Sequence, residues 1–148
     1  MTKFEEIKKL RDLTGAGVMD CEKALEEASG DFDKAVGIIN EKGIIKAQSK
    51  SERKTGAGLL ESYIHNGRIG VLLEIRAETD FVVRSEPFRA LAHELAMHIS
   101  AMAPETIEAL LLQPFVKDES ITIHELIKRT VGKTGENIRV EKFCRYEV

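Results

Sequence analysis

The segment His93–His98, with the sequence HELAMH, contains the residues in this chain that most evidently could carry out chemistry. Two histidines and a glutamate on one helix could hold a zinc ion and activate water, provided that the histidines stand four residues apart. Here Met occupies position 97, and five residues turn a helix by about 500°, so the two imidazoles diverge by about 140°. We therefore expect no metal site, and we interpret Glu94 and His98 as an exposed pair one helical turn apart.

Three glycine-containing motifs resemble parts of nucleotide-binding loops. The segment Gly132–Thr134 matches the end of a P-loop, but Ile127 occupies the place of the required earlier glycine, and a helix rather than a strand precedes it. The two Gly-Ala-Gly segments, which begin at Gly15 and Gly56, have acidic residues where a dinucleotide fingerprint needs its third glycine. No Ser/His/Asp or Cys/His arrangement is readable. We expect neither catalysis nor a cofactor.

A site of another kind is indicated in Ala77–Ser85, AETDFVVRS. The residues before this segment alternate as in a strand, and those after it repeat at helical spacing. Asp80 and Phe81 lie at the join, in a chain whose aromatic content is only 5%. Two interpretations of Phe81 remain open on this pattern: it fills the edge of the core, or it is presented to a partner.

Adjacent apolar residues also indicate a contact surface near the N-terminus. Val18 and Met19 begin the second predicted helix, and neighbours in a helix cannot both face one core stripe. If Val18 faces inward, Met19 is exposed, and an exposed methionine is an adaptable contact residue.

Composition limits the class of protein. The chain has 148 residues, of which 43% are hydrophobic and 32% charged, with a net charge of −3. This balance argues against a domain that binds nucleic acid over its whole surface. Cys21 and Cys144 form no CxxC pair and fit a reducing compartment. Neither a signal-peptide core nor an apolar run long enough for a membrane is readable, so we expect a soluble cytoplasmic protein.

Capping residues and glycines delimit three short helices within residues 1–45. The boundary signals are Thr2 with Glu5, Gly15, Val18, Asp31 and Gly43. A bundle of this size is marginal alone, so we expect it to pack on a neighbour. The basic segment 46–58 is interpreted as a solvated linker, with a nucleic-acid or ribosome contact as the alternative.

Residues 59–148 predict an α+β core in which helices pack on a small three-stranded antiparallel sheet. Asn66-Gly67 indicates a two-residue type I′ hairpin, which would pair Leu60 with Leu73 and bury Leu60 together with Ile64.

Two helices and a strand complete the predicted core. One helix follows Ser85 and ends before Pro104, and a second spans Thr122 to Val131 and is broken by Gly132 and Gly135. The alternating C-terminal residues predict the third strand.

Four segments, in order and over nearly the whole chain, resemble the bacterial elongation factor Ts family. They are LRDLTGAGVMDCEKAL (Leu10–Leu25), EIRAETDFVVRS (Glu74–Ser85), QPFVKD (Gln113–Asp118) and GENIRV (Gly135–Val140). Arg76 stands where the family usually has Asn. Members usually carry additional helical sequence before QPF, whereas only residues 103–112 occupy that place here.

The resemblance implies a ubiquitin-associated-like bundle and guanine-nucleotide exchange on elongation factor Tu, in its GDP-bound and nucleotide-free forms, without chemistry of the chain's own. Among the matching partner-binding positions, Asp80 and Phe81 insert near the GTPase magnesium and phosphate site, and Thr79 and Val82 flank them. The other matching positions are Arg11, Val18 and Met19 on the bundle, and His65 and Gly135 elsewhere.

Other functions compete with this one. The bundle could belong to an interaction module without exchange activity, and the basic linker could belong to a ribosome- or RNA-binding protein. A homodimer through the C-terminal strand, with Cys144 at its edge, is a further hypothesis; neither a membrane nor a specific nucleic acid is expected as a partner.

Overall fold

A computed structural model describes residues 1–148 as seven helices and five strands. The N-terminal helices are α1 (Lys3–Thr14), α2 (Val18–Glu27) and α3 (Phe32–Gln48). The remaining elements are β1 (Ala57–His65), β2 (Ile69–Ala77), α4 (Asp80–Val83), α5 (Glu86–Met102), α6 (Ile107–Leu112), β3 (Pro114–Phe115), β4 (Asp118–Thr122), α7 (Ile123–Thr134) and β5 (Arg139–Glu147). The predicted α+β class is confirmed: three helices precede a core of helices and a three-stranded antiparallel sheet in the order β1-β2-β5.

The N-terminal bundle begins as its sequence signals predict. Thr2 Oγ1 accepts from the Glu5 N–H, the Glu5 carboxylate accepts from the Thr2 N–H, and Asp31 caps α3. The small core of the bundle includes Leu10 and Cys21, both fully buried. Whether the bundle is related to ubiquitin-associated domains stays a prediction.

Helices α3 and α7 cross with their backbones in contact at Gly43 and Gly132. A methyl group on Gly132 would lie 3.0 Å from the Gly43 Cα, and one on Gly43 would lie 3.9 Å from the Gly132 Cα. The predictions that Gly43 closes the third helix and that Gly132 breaks the later one are therefore wrong. Both glycines lie inside their helices, and at Gly132 only a residue without Cβ permits this approach, whereas a methyl group on Gly43 would make an ordinary contact.

The segment 46–58 is not a free linker throughout. Helix α3 continues to Gln48, and β1 begins at Ala57. Ala47 is fully buried and belongs to the core of the second part of the chain. Residues between these elements form turns whose carbonyls are held by the core, as described below.

The hairpin has a different register from the predicted one. His65 pairs with Ile69 and Leu59 with Ile75, so Arg68 is an additional residue in the connection. Its carbonyl accepts from the Val148 N–H at 2.9 Å, which holds it in the turn.

This one-residue shift changes the face that β1 buries. Leu60 and Ile64, predicted to be buried, are 69% and 67% exposed, and Leu59 and Tyr63 face inward instead. The predicted inner face of β2 is correct, because Val71, Leu73 and Ile75 are buried.

Helix α5 covers the inner face of this sheet. Its stripe of Phe88, Leu91, Leu95 and Ile99 is buried, as the helical spacing predicts, and Ser85 stands at its N-cap. Strands β3 and β4 form a separate two-stranded ribbon that is not among the predicted elements. Strand β3 has only two residues, too few for an alternation of apolar and polar side chains to be recognised in the sequence.

His98 is buried, so the expected exposed pair with Glu94 is wrong. Its Nδ1 accepts from the Val116 N–H at 3.2 Å, and its Nε2 lies 2.9 Å from Gln113 Oε1. Because Nδ1 is an acceptor, the neutral ring carries its proton on Nε2 and donates it to Gln113. Glu94 pairs with Lys117 at 3.0 Å.

Replacing Gly132 by Ala tests the helix crossing. The added methyl group would meet the Gly43 backbone at 3.0–3.3 Å, and overpacking of this kind lowers the free energy of unfolding by about 1–3 kcal/mol. Gly37→Ala is the matched control: it lies in α3 with nothing within 4 Å of an added methyl, and should raise stability by about 0.5–1 kcal/mol. Chemical denaturation measures both, and equal stabilisation by the two substitutions would contradict the crossing.

The buried imidazole makes stability depend on pH. Burial lowers the pKa of His98 below its ordinary value of 6.5, so below that pH the unfolded chain binds a proton that the folded one does not. The free energy of unfolding should fall as the pH drops from 7.5 to 5. Thermal melts should show a smaller drop for His98→Asn, whereas His93→Asn, at an exposed position, should keep the wild-type profile.

Candidate functional site

The segment Thr79–Val83, which we name the TDF turn, presents the acid and the aromatic predicted at the strand–helix join. Thr79 caps α4, and its Oγ1 accepts from the Val82 N–H at 3.4 Å. Val82 and Val83 are 4% and 7% exposed and pack in the core, whereas Asp80 is exposed and Phe81 is 79% exposed. The interpretation that Phe81 fills the edge of the core is wrong.

The base of the TDF turn is held by the residues that follow α7. The Glu136 carboxylate accepts from the Thr79 N–H at 2.9 Å and from the Thr79 hydroxyl at 2.7 Å. In return, the Glu78 carboxylate accepts from the Asn137 N–H at 2.6 Å. Two adjacent pairs, Glu78-Thr79 and Glu136-Asn137, therefore each supply a carboxylate to a backbone donor of the other.

The side chain of Asn137 extends this contact to the chain that leaves α3. Its Nδ2 donates to the carbonyls of Ser51 and Arg53, at 3.2 and 2.8 Å, and the residue is 1% exposed. The Arg53 guanidinium also lies 3.7 Å from the Glu78 carboxylate. The exit of the bundle, the TDF turn and the end of α7 are thus joined at one place.

Gly135, one of the expected contact residues, lies next to this junction. It ends α7 in the left-handed conformation, with φ of 77°, and its N–H donates to the Val131 carbonyl. This backbone conformation favours glycine and turns the chain so that Glu136 reaches Thr79.

Arg11, Val18 and Met19, which we name the bundle patch, surround the connection between α1 and α2. Val18 is 49% and Met19 64% exposed, and Arg11 is exposed in the last turn of α1. The expectation that Val18 faces inward is wrong, because Val18 lies in the first turn of α2, at the end of the bundle, and remains half exposed. Cys21 and Leu25 carry the buried stripe.

The bundle patch and the TDF turn are both supported by the last turn of α7. A methyl group on Gly15, in the α1–α2 connection, would lie 3.8 Å from Cβ and Cγ of Lys133. Glu136, which binds Thr79, follows three residues later. The structure therefore brings these two groups of predicted contact residues to one structural support.

His65 is not part of this arrangement. It pairs with Ile69 at the far end of the hairpin, whereas Ala57 pairs with Ala77 next to the TDF turn. The eight residue-to-residue steps of β1 between these ends span about 26 Å. His65 is exposed, with its Nδ1 3.0 Å from the Tyr63 hydroxyl.

Two other residues of the segment Glu74–Ser85, Val82 and Arg76, are engaged in contacts within the fold. The buried side chain of Val82 fixes the turn to the core and is not available to a partner in this conformation. Arg76, where the sequence departs from the family pattern, donates to Glu74 at 2.8 Å and lies over Gly58 on the neighbouring strand.

Sequence reasoning did not find Glu78, Glu136 or Asn137 as part of the site. Glu136 and Thr79 are 57 residues apart, and no local periodicity marks a carboxylate that folds back onto a distant turn. The available signal was position: Glu136 directly follows the glycine that ends a predicted helix, where the chain changes direction.

The structure shows neither a metal-binding cluster nor a helix that could span a membrane. No cluster of His, Cys, Asp and Glu side chains is arranged to hold a metal ion. None of the helices combines the length and apolar character that crossing a bilayer requires.

An exposed acid–aromatic turn and a second patch of exposed side chains thus share one structural support. The family model described as Elongation factor TS matches residues 3–110. The chain belongs to the elongation factor Ts family, a family of translation elongation factors.

Several members of the family align with almost the whole chain. Elongation factor Ts of Thermotoga neapolitana is 41% identical, and that of Fervidobacterium nodosum 38%, over 96% of this chain and 94% and 95% of the relatives. Elongation factor Ts of Rippkaea orientalis is 39% identical over 76% of its own length. The Fervidobacterium alignment covers 188 positions, more than the 148 residues of this chain, so part of that relative has no counterpart here.

Proposed function

We propose that this protein is a guanine-nucleotide exchange factor for elongation factor Tu in the cytoplasm. It promotes GDP release by inserting Asp80 and Phe81 near the magnesium and phosphate site of the GTPase. The observation that carries the proposal is the position of Phe81: it is 79% exposed on a single helical turn whose other face is buried in the core. A large apolar side chain held in this way is suited to entering a slot in a partner.

Exchange of this kind needs binding energy and no catalytic group. A factor that binds the nucleotide-free GTPase more tightly than the GDP-bound form weakens GDP binding by the same factor, because the two equilibria are linked. Burial of Phe81 in the partner would contribute about 1.5–3 kcal/mol. Each 1.4 kcal/mol corresponds to about tenfold in affinity, so contacts of the bundle patch must supply much of the remainder.

The exposed residues have separate roles in the proposal. Asp80 places a negative charge near the partner's magnesium, which weakens metal binding either by competing electrostatically or by moving the metal's ligands. Arg11, Val18 and Met19 dock the bundle. His65, about 26 Å along the hairpin, contacts another part of the partner. Thr79, Val82 and Gly135 hold the TDF turn in place from within.

Replacing Phe81 by Ala tests the insertion. Loss of about 1.5–3 kcal/mol of differential binding should slow factor-stimulated GDP release by roughly ten- to a hundredfold. Release of fluorescent GDP from purified elongation factor Tu, followed by stopped flow, measures the effect. Phe4→Ala is the matched control, because Phe4 is 76% exposed at the far end of α1.

Stability measurements separate this effect from unfolding. Phe81→Ala should leave the free energy of unfolding within about 0.5 kcal/mol of wild type, as surface substitutions do, whereas Val82→Ala should lower it, because Val82 is buried. Wild-type rates with Phe81→Ala would contradict the insertion. A wild-type protein that binds elongation factor Tu without accelerating release would support the interaction module instead, and strongly salt-dependent RNA binding would support the third function.

We also propose a homodimer that includes the C-terminal strand. Strand β5 is at the edge of the sheet, and the outer sheet face has an apolar group formed by Leu60, Ile64, Leu72, Cys144 and Tyr146, all exposed. Such a patch is unfavourable in water and suits a second copy of the same surface.

Sedimentation at micromolar concentration tests the dimer. The wild type should sediment as a dimer. Leu72→Glu, in the middle of the patch, should sediment as a monomer, because forming the dimer would bury an unpaired negative charge. Leu112→Glu is the control on α6, where Leu112 is 78% exposed outside the sheet. A monomeric wild type would remove the proposal.

A further inference from the structure

The TDF turn cannot keep its direction by its own helical bonds. Helix α4 has only four residues, and a helix of one turn is not stable in isolation. The buried side chains of Val82 and Val83 attach one face of the turn to the core. They leave the direction of its first residues, Asp80 and Phe81, to be set by the contacts of Thr79.

The hydrogen bonds of Thr79 to residues outside the turn all come from a single carboxylate. Both oxygens of Glu136 are occupied by Thr79, one by its N–H and one by its hydroxyl, at 2.9 and 2.7 Å. An ionised carboxylate only accepts hydrogen bonds, so the hydroxyl must donate to Glu136 and turn its lone pairs to the Val82 N–H. Glu136 therefore determines the orientation of the residue that caps α4.

We propose that Glu136 is a positioning residue for nucleotide exchange, which fixes through Thr79 the direction in which Asp80 and Phe81 project toward the partner. This inference rests on the proposed function. Glu136 is half-buried, and both of its oxygens are engaged within the molecule. It acts by holding the turn and not by touching the GTPase.

The residue next to Glu136 holds the exit from the bundle. Asn137 follows Glu136 and donates from its side chain to the carbonyls of Ser51 and Arg53, close to the C-terminal end of α3. The TDF turn and the exit from the bundle consequently share one support. Their separation is set before the partner arrives, which reduces the conformational entropy lost when both surfaces engage the GTPase.

This arrangement predicts which step Glu136 affects. Docking through the bundle patch does not use Thr79, so a loosened turn should still allow the factor to bind elongation factor Tu. The inserted pair would reach its productive position less often, and the exchange step would slow. Loss of the Glu136 contact should therefore lower the maximal rate of GDP release more than it changes the factor concentration that gives half of that rate.

Glu136→Gln is the direct test, measured by stopped-flow GDP release from elongation factor Tu over a range of factor concentrations. The amide keeps the size of the side chain but replaces one acceptor by a donor. The maximal rate should fall roughly tenfold, as expected for losing a hydrogen bond to a charged group, with the half-maximal concentration changed less than the rate. Glu141→Gln is the control, because Glu141 is exposed on β5 and paired only with Arg139.

Variants of Thr79 test whether Glu136 acts through the Thr79 hydroxyl. Thr79→Ser keeps the hydroxyl and should retain the wild-type rate, whereas Thr79→Val removes it at similar volume and should reproduce the loss. Because Thr79 and Glu136 act through one contact, the double variant should be slower than either single variant by less than the product of their effects.

Hydrogen exchange on the free protein gives a readout independent of elongation factor Tu. Glu136→Gln should speed exchange of the Val82 and Val83 amides and leave the bundle amides unchanged. A wild-type maximal rate in Glu136→Gln, or a rise only in the half-maximal concentration, would overturn the inference. If the wild type itself fails to accelerate release, the proposed function fails and the positioning role in exchange with it, and faster amide exchange would show that the contact only supports the fold.

Discussion

The contact between the backbones of α3 and α7 is the constraint on which the remaining structure depends. At Gly43 and Gly132 the two helices approach so closely that a methyl group on Gly132 would lie 3.0 Å from the opposite Cα. Side chains normally keep packed helices 8–10 Å apart, and their absence here lets the bundle rest directly on the core. A small three-helix unit with few buried residues gains a large neighbour in this way.

The position of this crossing explains why the candidate contact surfaces lie where they do. Beyond Gly132, the last turn of α7 lies beside the α1–α2 connection through Lys133 and reaches the TDF turn through Glu136. One helix end thus supports surface residues from two distant parts of the chain. Rigid secondary structure holds such groups more accurately than flexible loops do.

Local patterns in the sequence predicted the elements well and their tertiary relations poorly. Caps such as Thr2 and the spacing on α5 depend on neighbours in the chain, so they could be recognised without the fold. Gly43 and Gly132 were interpreted as helix ends, since a stretch of sequence does not show which backbone will pass nearby. The exposed position of Phe81 was left open by periodicity, and Glu136 was invisible because its partner lies 57 residues away.

The two cysteines have opposite surroundings, which makes the molecule easy to label. Cys21 is fully buried in the bundle, and burial raises the pKa of its thiol, so little reactive thiolate is available there. Cys144 is exposed on the outer face of the sheet. A thiol-specific fluorophore should therefore attach only at Cys144 in the monomer, without any cysteine having to be removed, and the dimer proposed above would shield this thiol.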